Sequence, residues 1–321
     1  MAGAAVTRDA AALAVVLVDS SACRELIAIE SVLVGALGTP TVRIAGQDLP
    51  SLRASIEPAG GVLDVDGRRV RPTVAWVRHA SPHAISASVA GRSAARSLCV
   101  ESWSNFLTQI AALAAVAIPG REPGHVAALR DAARLGVATP RTVVATGAGR
   151  DSAARLVVKA LGPHFPGPSR DPTDGYFAQV VDPAGDLPEW ADGRVPVLVQ
   201  EYVEHVQEYR VYYLNGGVCA FAVDKPSPAS IWTAPDRVRV SWAACPAGVE
   251  EVVRTLAARW RLTFGAFDLL MTASGEPVFL EVNTDGDWLW FEQKARWDGV
   301  TFMAAAMLRE LHVRVVSAPA G

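Results

Sequence analysis

The 321-residue sequence contains few cysteines, and their spacing is unlike that of a metal site or a disulfide-stabilised fold. The four residues, Cys23, Cys99, Cys219 and Cys245, are scattered along the chain without a CxxC pair. Because zinc sites and disulfide frameworks use regularly spaced cysteines, we expect neither. Scattered cysteines are typical of the reducing cytoplasm, which is where we expect the protein to act.

Long apolar runs and an excess of one charge are also absent. No run reaches the roughly 20 residues that a membrane-spanning helix needs. The apolar run from Ala10 to Val18 is bracketed by Asp9 and Asp19 and no cleavage pattern follows it, which favours a core strand over a signal peptide. The net charge is −3, which gives no general attraction to nucleic acid or to an anionic membrane, so we expect neither as a partner.

The chain is long enough to form several lobes, each with its own core. Hydrophobic residues make up 50% of the sequence, which is typical of a globular protein. Pro-Gly pairs near residue 120 break the chain and predict a domain boundary there. We predict an N-terminal domain over residues 1–120, a central lobe over 121–204 and a C-terminal lobe over 205–321.

The N-terminal region predicts a parallel sheet. The apolar run Leu13–Val18 is typical of a strand that is covered on both faces. A helix from about residue 20 to Leu37 and a strand over Thr41–Ile44 follow, and this β-α-β order implies parallel pairing. A further strand, Val74–Val77, ends at Arg78, which either binds a substrate carboxylate or is an ordinary solvated cation at a strand end.

Other segments have the patterns of helices and hairpins. Asp66-Gly67 and Gly216-Gly217 predict hairpin turns. The spacing of apolar residues predicts further helices at Ser104–Ala117, His125–Leu135, Glu250–Trp260 and Gly299–Leu311. Residues 315–321 are expected to be disordered.

The most informative stretch is a predicted hairpin near the C-terminus. Apolar strands over Phe264–Met271 and Val278–Asn283 flank a Ser274-Gly275 turn. With a two-residue turn, Asp268 lies directly opposite Glu281. Opposed side chains have Cβ atoms about 5 Å apart, so the two carboxylates repel each other unless a cation lies between them.

A magnesium site is the chemistry that this hairpin favours. Side chains alternate along a strand, so Glu281 and Asn283 share one face. With Asp268 they supply two carboxylates and an amide oxygen, a hard set of ligands that suits Mg²⁺ holding substrate phosphates. The alternative is a solvated acidic face, but the flanking Phe, Leu and Val residues argue against full exposure.

The same stretch resembles the C-terminal half of ATP-grasp ligases, and more narrowly the ATP-grasp maturases of microviridin-type graspetides. Three motifs carry the resemblance: Gly265-x-x-Asp268, Phe279-Leu280-Glu281-Val282-Asn283 and Gly286-Asp287-Trp288-Leu289-Trp290-x-Glu292. The sequence departs from the family at Thr284, where Pro is usual, and at Asp287, where a neutral polar residue is usual. The resemblance implies an α/β ATP-grasp fold with an N-terminal Rossmann-like pre-ATP-grasp domain, and it implies that Asp268, Glu281 and Asn283 hold Mg²⁺.

The resemblance also implies a nucleotide site. Lys159 ends a predicted strand and would reach the phosphates as a point charge, while Arg210 would hold phosphoryl oxygens bidentately. Glu208 follows Glu201 by seven residues, the family's spacing for a carboxylate that binds ribose hydroxyls. The hinge residues implied to contact adenine are Gln200, Glu201, Tyr202 and Val203. Any one of these alone is more often a strand-edge residue, so the argument rests on their order and spacing.

One expected phosphate contact is changed in this sequence. The family usually has a Lys upstream of the Leu135-Gly136 pair, and the matching residue here is His125. Neutral His is a poorer phosphate ligand than Lys, and the alternative is that His125 only begins a helix.

The implied function is ATP- and Mg²⁺-dependent ligation through an acyl phosphate, with ADP and phosphate as products. The favoured substrate is a ribosomal precursor peptide with a leader, whose core Asp or Glu side chains are joined to Ser, Thr or Lys as ω-esters or ω-amides. A Pro- and Asp-rich segment, residues 162–194, is assigned to substrate recognition. Two alternatives stay open: an amino-acid or small-peptide ligase of the glutamate-adding type, and a degenerate nucleotide-binding partner protein. The oligomeric state is also open, with a homodimer as one candidate.

Overall fold

The computed structural model describes most of the chain: residues 11–19, 24–86, 94–146, 154–162, 164, 174–183, 185, 187–191 and 193–319. The predicted capping serines, Ser20 and Ser21, lie outside these residues, as do residues 163, 165–173, 184, 186 and 192 of the 162–194 segment. None of the described helices is long and apolar enough to span a bilayer.

The chain divides into two compact units. The first comprises Met1–Gly120, Asp287–Leu289 and Gly299–Gly321, and the second comprises Arg121–Gly286 and Trp290–Asp298. The division into three domains with boundaries at 120 and 204 stays a prediction.

The described part of the first unit contains a six-stranded sheet in the order β2-β1-β5-β4-β3, with β6 paired to β5. Its strands are β1 (Ala12–Asp19), β2 (Thr41–Ala45), β3 (Ala54–Glu57), β4 (Val62–Val65), β5 (Arg68–Arg78) and β6 (Val116–Ile118). Strand β1 is parallel to β2 and β5, and β6 is parallel to β5, which confirms the predicted parallel opening. The last six residues of β1 are buried, as expected for a strand with both faces covered.

Helices of the first unit differ from the predicted ones at their ends. They are α1 (Glu25–Ser31), continued by a π-helical turn over Val32–Ala36, α2 (Pro82–Ser86), α3 (Ala94–Leu113) and α8 (Gly299–Val316). The predicted helix to Ala117 is wrong at its C-terminal end, because Val116–Ile118 pairs with β5 instead. The expected disorder from residue 315 is also wrong at its start, because α8 continues to Val316 and is closed by the Ser317 N–H donating to the Val313 carbonyl.

The described part of the second unit contains two antiparallel sheets, in the orders β7-β10-β8-β9 and β13-β12-β11-β14-β15. The first sheet has β7 (Thr142–Thr146), β8 (Leu156–Ala160), β9 (Gln179–Val181) and β10 (Pro196–Glu201). The second has β11 (Gln207–Leu214), β12 (Gly217–Asp224), β13 (Arg239–Ala243), β14 (Phe264–Met271) and β15 (Pro277–Asn283). The helices are α4 (His125–Arg134), α5 (Ser230–Thr233), α6 (Ala247–Trp260) and α7 (Leu289–Ala295), which begins with the last residue of the 287–289 segment.

One face of the five-stranded sheet is covered by α4 and α6. Val211 of β11 and Phe267 of β14 are fully buried in the core that these helices form with the sheet. Side chains alternate along a strand, so the neighbouring residues Arg210 and Asp268 point to the opposite face. The core thereby fixes which side of the sheet carries the charged residues.

Two tight turns join neighbouring strands. Asp66 and Gly67 have φ angles of +50° and +85°, which confirms the predicted turn between β4 and β5. The predicted Gly216-Gly217 turn is wrong by one residue, because Leu214 pairs with Gly217 and the turn residues are Asn215 and Gly216. Both have positive φ, at +46° and +99°, a conformation that Asn tolerates better than most side chains.

The hairpin of β14 and β15 has the predicted pairing of Asp268 with Glu281, but its loop and register differ from the prediction. Met271 pairs with Pro277, so the connection is a five-residue loop, Thr272–Glu276, and the predicted two-residue turn is wrong. The register then shifts after Leu269, which pairs with Phe279, and Asp268 lies opposite Glu281 as predicted. Leu280 is the extra residue on β15, so this bulge offsets the longer loop.

The bulge also decides which face receives the acidic residue. Phe279 is fully buried with the helices, and without the bulge Glu281 would point to the same side. Because Leu280 is unpaired, the alternation of side chains shifts by one residue at the bulge. Glu281 and Asn283 therefore lie on the face of Asp268, and Val282 packs against the helices.

Candidate functional site

Charged side chains lie on three adjacent strands of the five-stranded sheet, on the face opposite α4 and α6. Arg210 of β11 lies opposite Asp268 of β14, which lies opposite Glu281 of β15. Glu208 precedes Arg210 by two residues and therefore shares this face. Lys159 joins them from β8 of the other sheet in the same unit. The structure thus brings together five residues that were predicted from sequence to bind metal or nucleotide.

These residues are held by short ion pairs in which every side chain is 10–23% exposed. The three pairs, with their N···O distances, are Lys159 with Glu281 (3.0 Å), Arg210 with Asp268 (2.7 Å) and Lys225 with Glu208 (2.6 Å). Each cation has one carboxylate partner, so the six charges sum to zero. Each charge is therefore compensated locally at low exposure, which offsets part of the cost of removing it from water.

The two carboxylates of the hairpin have pKa shifts of opposite sign. The charge of Lys159 lowers the pKa of Glu281 to about 2, although burial acts in the other direction. Burial raises the pKa of Asp268, and the charge of Glu281 adds to this increase, while Arg210 opposes it. A divalent cation between the two carboxylates would remove the repulsion that contributes to the raised pKa of Asp268.

The donor set fits Mg²⁺ in chemistry. Asp268 and Glu281 supply opposed carboxylates, and Asn283 ends β15 with an exposed side chain on the same face. Among the described residues no group of three His, Cys, Asp or Glu side chains is arranged to hold a metal ion. A magnesium site here would therefore use the Asn283 amide and substrate oxygens beside the two carboxylates. The assignment of these three residues to a metal stays a proposal.

Arg210 has a tightly defined position. Its Nε donates to the Tyr212 hydroxyl at 3.4 Å, and its guanidinium lies 5.4 Å from the ring centroid of Phe291. A Cβ atom on Gly286 would lie 2.9 Å from Arg210 Nη2 and would overlap the side chain of Ala266. Gly286, noted in the sequence only as part of a motif, therefore makes room for the guanidinium.

His125 begins α4, which matches the simpler of its two interpretations. His125 also contributes to the lowered pKa of Glu281, so it lies within electrostatic reach of the charged face. The residue predicted to stand in place of a phosphate-binding Lys is thus close to Glu281.

The predicted hinge residues lie at the end of β10 and make contacts within the protein. The N–H groups of Glu201 and Tyr202 donate to the carbonyls of Arg141 and Arg155, and the Arg155 guanidinium lies 4.1 Å from the Tyr202 ring centroid. The side chain of Gln200 is buried, donates to Thr142 Oγ1 at 3.2 Å, and lies on the same face of the four-stranded sheet as Lys159. The Val203 carbonyl accepts from His205. The adenine contacts assigned to these residues stay a prediction.

Lys225 is the member of the site that sequence reasoning missed. It follows Asp224, the last residue of β12, and lies two residues beyond Val223, which pairs with Glu208. Two residues along a strand return to the same face, so the correct hairpin register places Lys225 beside Glu208. The Asn215-Gly216 pair is the sequence signal that predicts this register.

In the first unit, Arg78 is neither a solvated strand-end cation nor an open carboxylate receptor. It is fully buried, and its guanidinium contacts Asp19 at 3.4 Å and Asp287 at 2.5 Å and lies 4.9 Å from the Trp288 ring centroid. Burial alone would raise the pKa of Asp287, but a hydrogen bond from His79 and the charge of Arg78 hold it well below its usual range. The unusual acidic residue at 287 is therefore the partner of a buried arginine.

Comparison with known proteins identifies the fold. No protein-family model matches the chain, and no curated protein matches it in sequence. The macrocyclase MdnC from Microcystis aeruginosa, bound with its precursor peptide MdnA, matches with a TM-score of 0.72 and 16% identity over 92% of this chain and 99% of MdnC. The ATP-grasp ligase PsnB, complexed with a variant of its minimal precursor, Mg and ADP, matches with a TM-score of 0.69 and 16% identity over 93% of this chain and 98% of PsnB.

A smaller likeness extends to an amino-acid ligase. D-alanyl-alanine synthetase A from Vibrio cholerae matches with a TM-score of 0.56 and 13% identity over 94% of this chain and 99% of that chain. At these identities the likeness establishes the fold, and the predicted α/β ATP-grasp fold is confirmed. The Rossmann-like character of the N-terminal domain stays a prediction.

Proposed function

We propose that this protein is an ATP- and Mg²⁺-dependent ligase that forms ω-ester or ω-amide bonds within a ribosomal precursor peptide. The observation that carries the proposal is the charged face, where Asp268 and Glu281 oppose each other beside Arg210 and Lys159. The fold supports the peptide substrate, because MdnC and PsnB were both solved with precursor peptides.

The reaction proceeds in two balanced steps. A carboxylate oxygen of a core Asp or Glu takes the γ-phosphoryl group of ATP, which gives an acyl phosphate and ADP. A Ser or Thr hydroxyl, or a Lys amine, then attacks the acyl carbon, loses its proton and displaces phosphate. Each bond formed removes one water from the peptide overall, and the protein contributes mainly positioning and charge neutralisation.

In this proposal the charged residues exchange partners when the nucleotide binds. Asp268, Glu281 and Asn283 would hold Mg²⁺, which when bound neutralises charge on the β- and γ-phosphates. Lys159 and Arg210 would then leave their carboxylate partners and bind phosphoryl oxygens. Both cations are held beside the carboxylates at 3.0 Å or less, so each lies next to the oxygens that would hold the metal and the phosphates.

Glu208 and the hinge complete the nucleotide site in this proposal. Glu208 accepts from ribose hydroxyls, and the hinge over residues 200–203 contacts adenine. His125 takes the place of the usual phosphate-binding Lys, and its reach to Glu281 supports a position near the phosphates.

A cytoplasmic location belongs to the same proposal. The described cysteines, Cys99, Cys219 and Cys245, are free thiols. Burial raises the pKa of Cys219 to about 12 and that of Cys245 to about 11, so both thiols are poorly reactive. Whether the protein forms a homodimer stays open.

The test uses the purified protein with ATP, Mg²⁺ and a candidate precursor peptide that has Asp or Glu and Ser, Thr or Lys in its core. Intact-mass spectrometry is expected to find the loss of one water per bond, and ³¹P NMR is expected to find ADP and phosphate. Release of AMP and pyrophosphate would overturn the acyl-phosphate route. Efficient ligation of free amino acids without a peptide would favour the amino-acid ligase instead.

A second arm of the experiment tests peptide recognition. A leaderless core peptide is expected to turn over slowly, and the leader added in trans is expected to restore part of the rate, because leader binding biases the enzyme toward a closed state. Equal rates with and without the leader would contradict this role.

A further inference from the structure

One ion pair of the charged face contains no residue assigned to the metal. Asp268 and Glu281 must release Arg210 and Lys159 if they bind Mg²⁺, but Glu208 has no such reason to release Lys225. We propose that Lys225 is a positioning residue that holds the Glu208 carboxylate for recognition of the nucleotide sugar. The inference rests on the proposed function for the identity of its ligand.

The contact is short and well shielded. Lys225 Nζ lies 2.6 Å from Glu208 Oε1, and the two side chains are 14% and 11% exposed. The backbone beside the pair is also fixed, because Gln207 Nε2 donates to the carbonyls of Glu208 and Val223, which pair with each other across β11 and β12. Charge-assisted hydrogen bonds of this length are the stronger kind, so the carboxylate has a defined orientation.

A carboxylate that is paired with Lys225 can still bind the two hydroxyls of a sugar. A carboxylate has two oxygens and about four acceptor positions, so one ammonium on Oε1 leaves capacity for a diol. Glu208 also raises the pKa of the nearby Asp268, and Lys225 acts against that increase. Lys225 therefore fixes the orientation of Glu208 and compensates its charge near a second carboxylate.

The direct test compares sugar recognition between variants. Isothermal titration calorimetry in the presence of Mg²⁺ would measure binding of ADP, 2′-deoxyADP and 3′-deoxyADP to the wild type, Lys225→Met, Lys225→Arg and Glu208→Gln. The wild type is expected to bind ADP about tenfold more tightly than the weaker deoxy analogue, the loss typical of one hydrogen bond to a charged group. Lys225→Met should reduce this preference to about twofold or less, while Lys225→Arg, which keeps the charge, should retain most of it.

Each alternative gives a different pattern. If Lys225→Met weakens ADP and both deoxy analogues equally, Lys225 contacts the phosphates directly and the positioning role is wrong. If the variant leaves the preference unchanged, the role is also wrong. If Lys225→Met does not fold, as judged by thermal unfolding, Glu208→Gln decides the matter, because wild-type sugar preference in that variant would overturn the proposal.

The same measurements separate this inference from the proposed function. ADP binding needs no peptide, so a sugar preference that depends on Lys225 would stand even if no precursor peptide is modified. If the wild type binds ADP without any sugar preference, the role of Lys225 fails while peptide ligation can still be observed. If the wild type binds no ADP with Mg²⁺, both proposals fail.

Discussion

Glu281 is the residue at which charge, geometry and proposed chemistry meet. It pairs with Lys159, opposes Asp268 and keeps a pKa of about 2. Glu281→Gln preserves shape but removes the charge, so we expect a folded protein that has lost nearly all Mg²⁺-dependent ATP turnover. ADP release in a coupled assay measures the loss. Glu276→Gln, an exposed change in the loop of the same hairpin, is the matched control and should be active; wild-type turnover in Glu281→Gln would refute the metal assignment.

Glu208 is expected to affect nucleotide binding more than chemistry. Glu208→Ala removes the assigned ribose acceptor, so the KM for ATP should rise while kcat falls less than it does in Glu281→Gln. Steady-state kinetics with varied ATP measures both constants. An unchanged KM would mean that Glu208 is structural and that the hinge placement is wrong.

Glu25 links buried charge to the pH dependence of stability. Its Oε1 accepts from the N–H groups of Trp288 and Leu289, and burial, together with the charge of Asp287, raises its pKa above the ordinary 4.5. Because the folded state disfavours the ionised form, wild-type stability should fall relative to Glu25→Gln as pH rises from below 4.5 through the raised pKa.

Denaturant unfolding across this pH range tests the prediction for Glu25. Gln keeps an acceptor for the two N–H groups and does not ionise, so the difference between the two proteins isolates the charge. Asp287 acts at lower pH, since its lowered pKa contributes stability that is lost progressively as the pH falls below about 3.8. A stability difference that does not change above pH 4.5 would contradict the role of Glu25.

Among the elements, the hairpin of β14 and β15 was predicted correctly in its strands and its opposed carboxylates, but not in its connection. The alternation of apolar residues indicates strands, whereas the length of a loop depends on local hydrogen bonds. Thr272 Oγ1 accepts from the Glu276 N–H at 3.0 Å, and the Thr272 N–H donates to the Glu276 carbonyl at 3.0 Å. These bonds favour the longer loop, and no residue type at Leu280 signals a compensating bulge.

The turn between β11 and β12 could have been predicted correctly. Asn-Gly is the strongest two-residue hairpin signal, and it precedes the Gly-Gly pair by one position. The correct register would have placed Lys225 on the charged face. The environment of Arg78 could not have been predicted in this way. A cation at a strand end gives no sign in the sequence that it will be buried and paired with Asp19 and Asp287.

The Asn215-Gly216 turn gives a prediction at the scale of one element. Asn215 has a φ of +46°, so Asn215→Ala should lower the free energy of unfolding by about 1 kcal/mol, the cost of a left-handed conformation for a residue with a Cβ and no local hydrogen bond. Asn215→Gly should be close to neutral, since Gly adopts this conformation readily. Urea denaturation measures both, and equal stability of the Ala and Gly variants would contradict the argument.

For the whole molecule, the order of the sequence and the grouping in space differ. The last helix, α8, belongs to the first unit although it follows the strands of the second, and Asp287–Leu289 belongs there as well. Trp288 is fully buried in the first unit, stacked on Trp76 at 5.7 Å with its Nε1 donating to Thr301. Helical spacing identifies an apolar face but not the surface that covers it. The sequence therefore could not predict that α8 and Asp287–Leu289 belong to the first unit.

The zero sum of the six charges on the sheet face has a kinetic consequence. An excess of positive charge accelerates the capture of an anionic ligand, and salt weakens that acceleration beyond a Debye length of about 8 Å at physiological ionic strength. Here a carboxylate lies within 3.0 Å of each cation, so little long-range field remains.

We therefore expect the association rate constant of ADP with Mg²⁺, measured by stopped-flow, to change by less than about twofold between low and physiological ionic strength. Glu208→Gln leaves one cation uncompensated and should make that rate faster and more sensitive to salt. A strong salt dependence in the wild type would contradict local compensation. If the expectation holds, this protein collects its nucleotide at a rate set by diffusion and geometry and nearly independent of ionic strength.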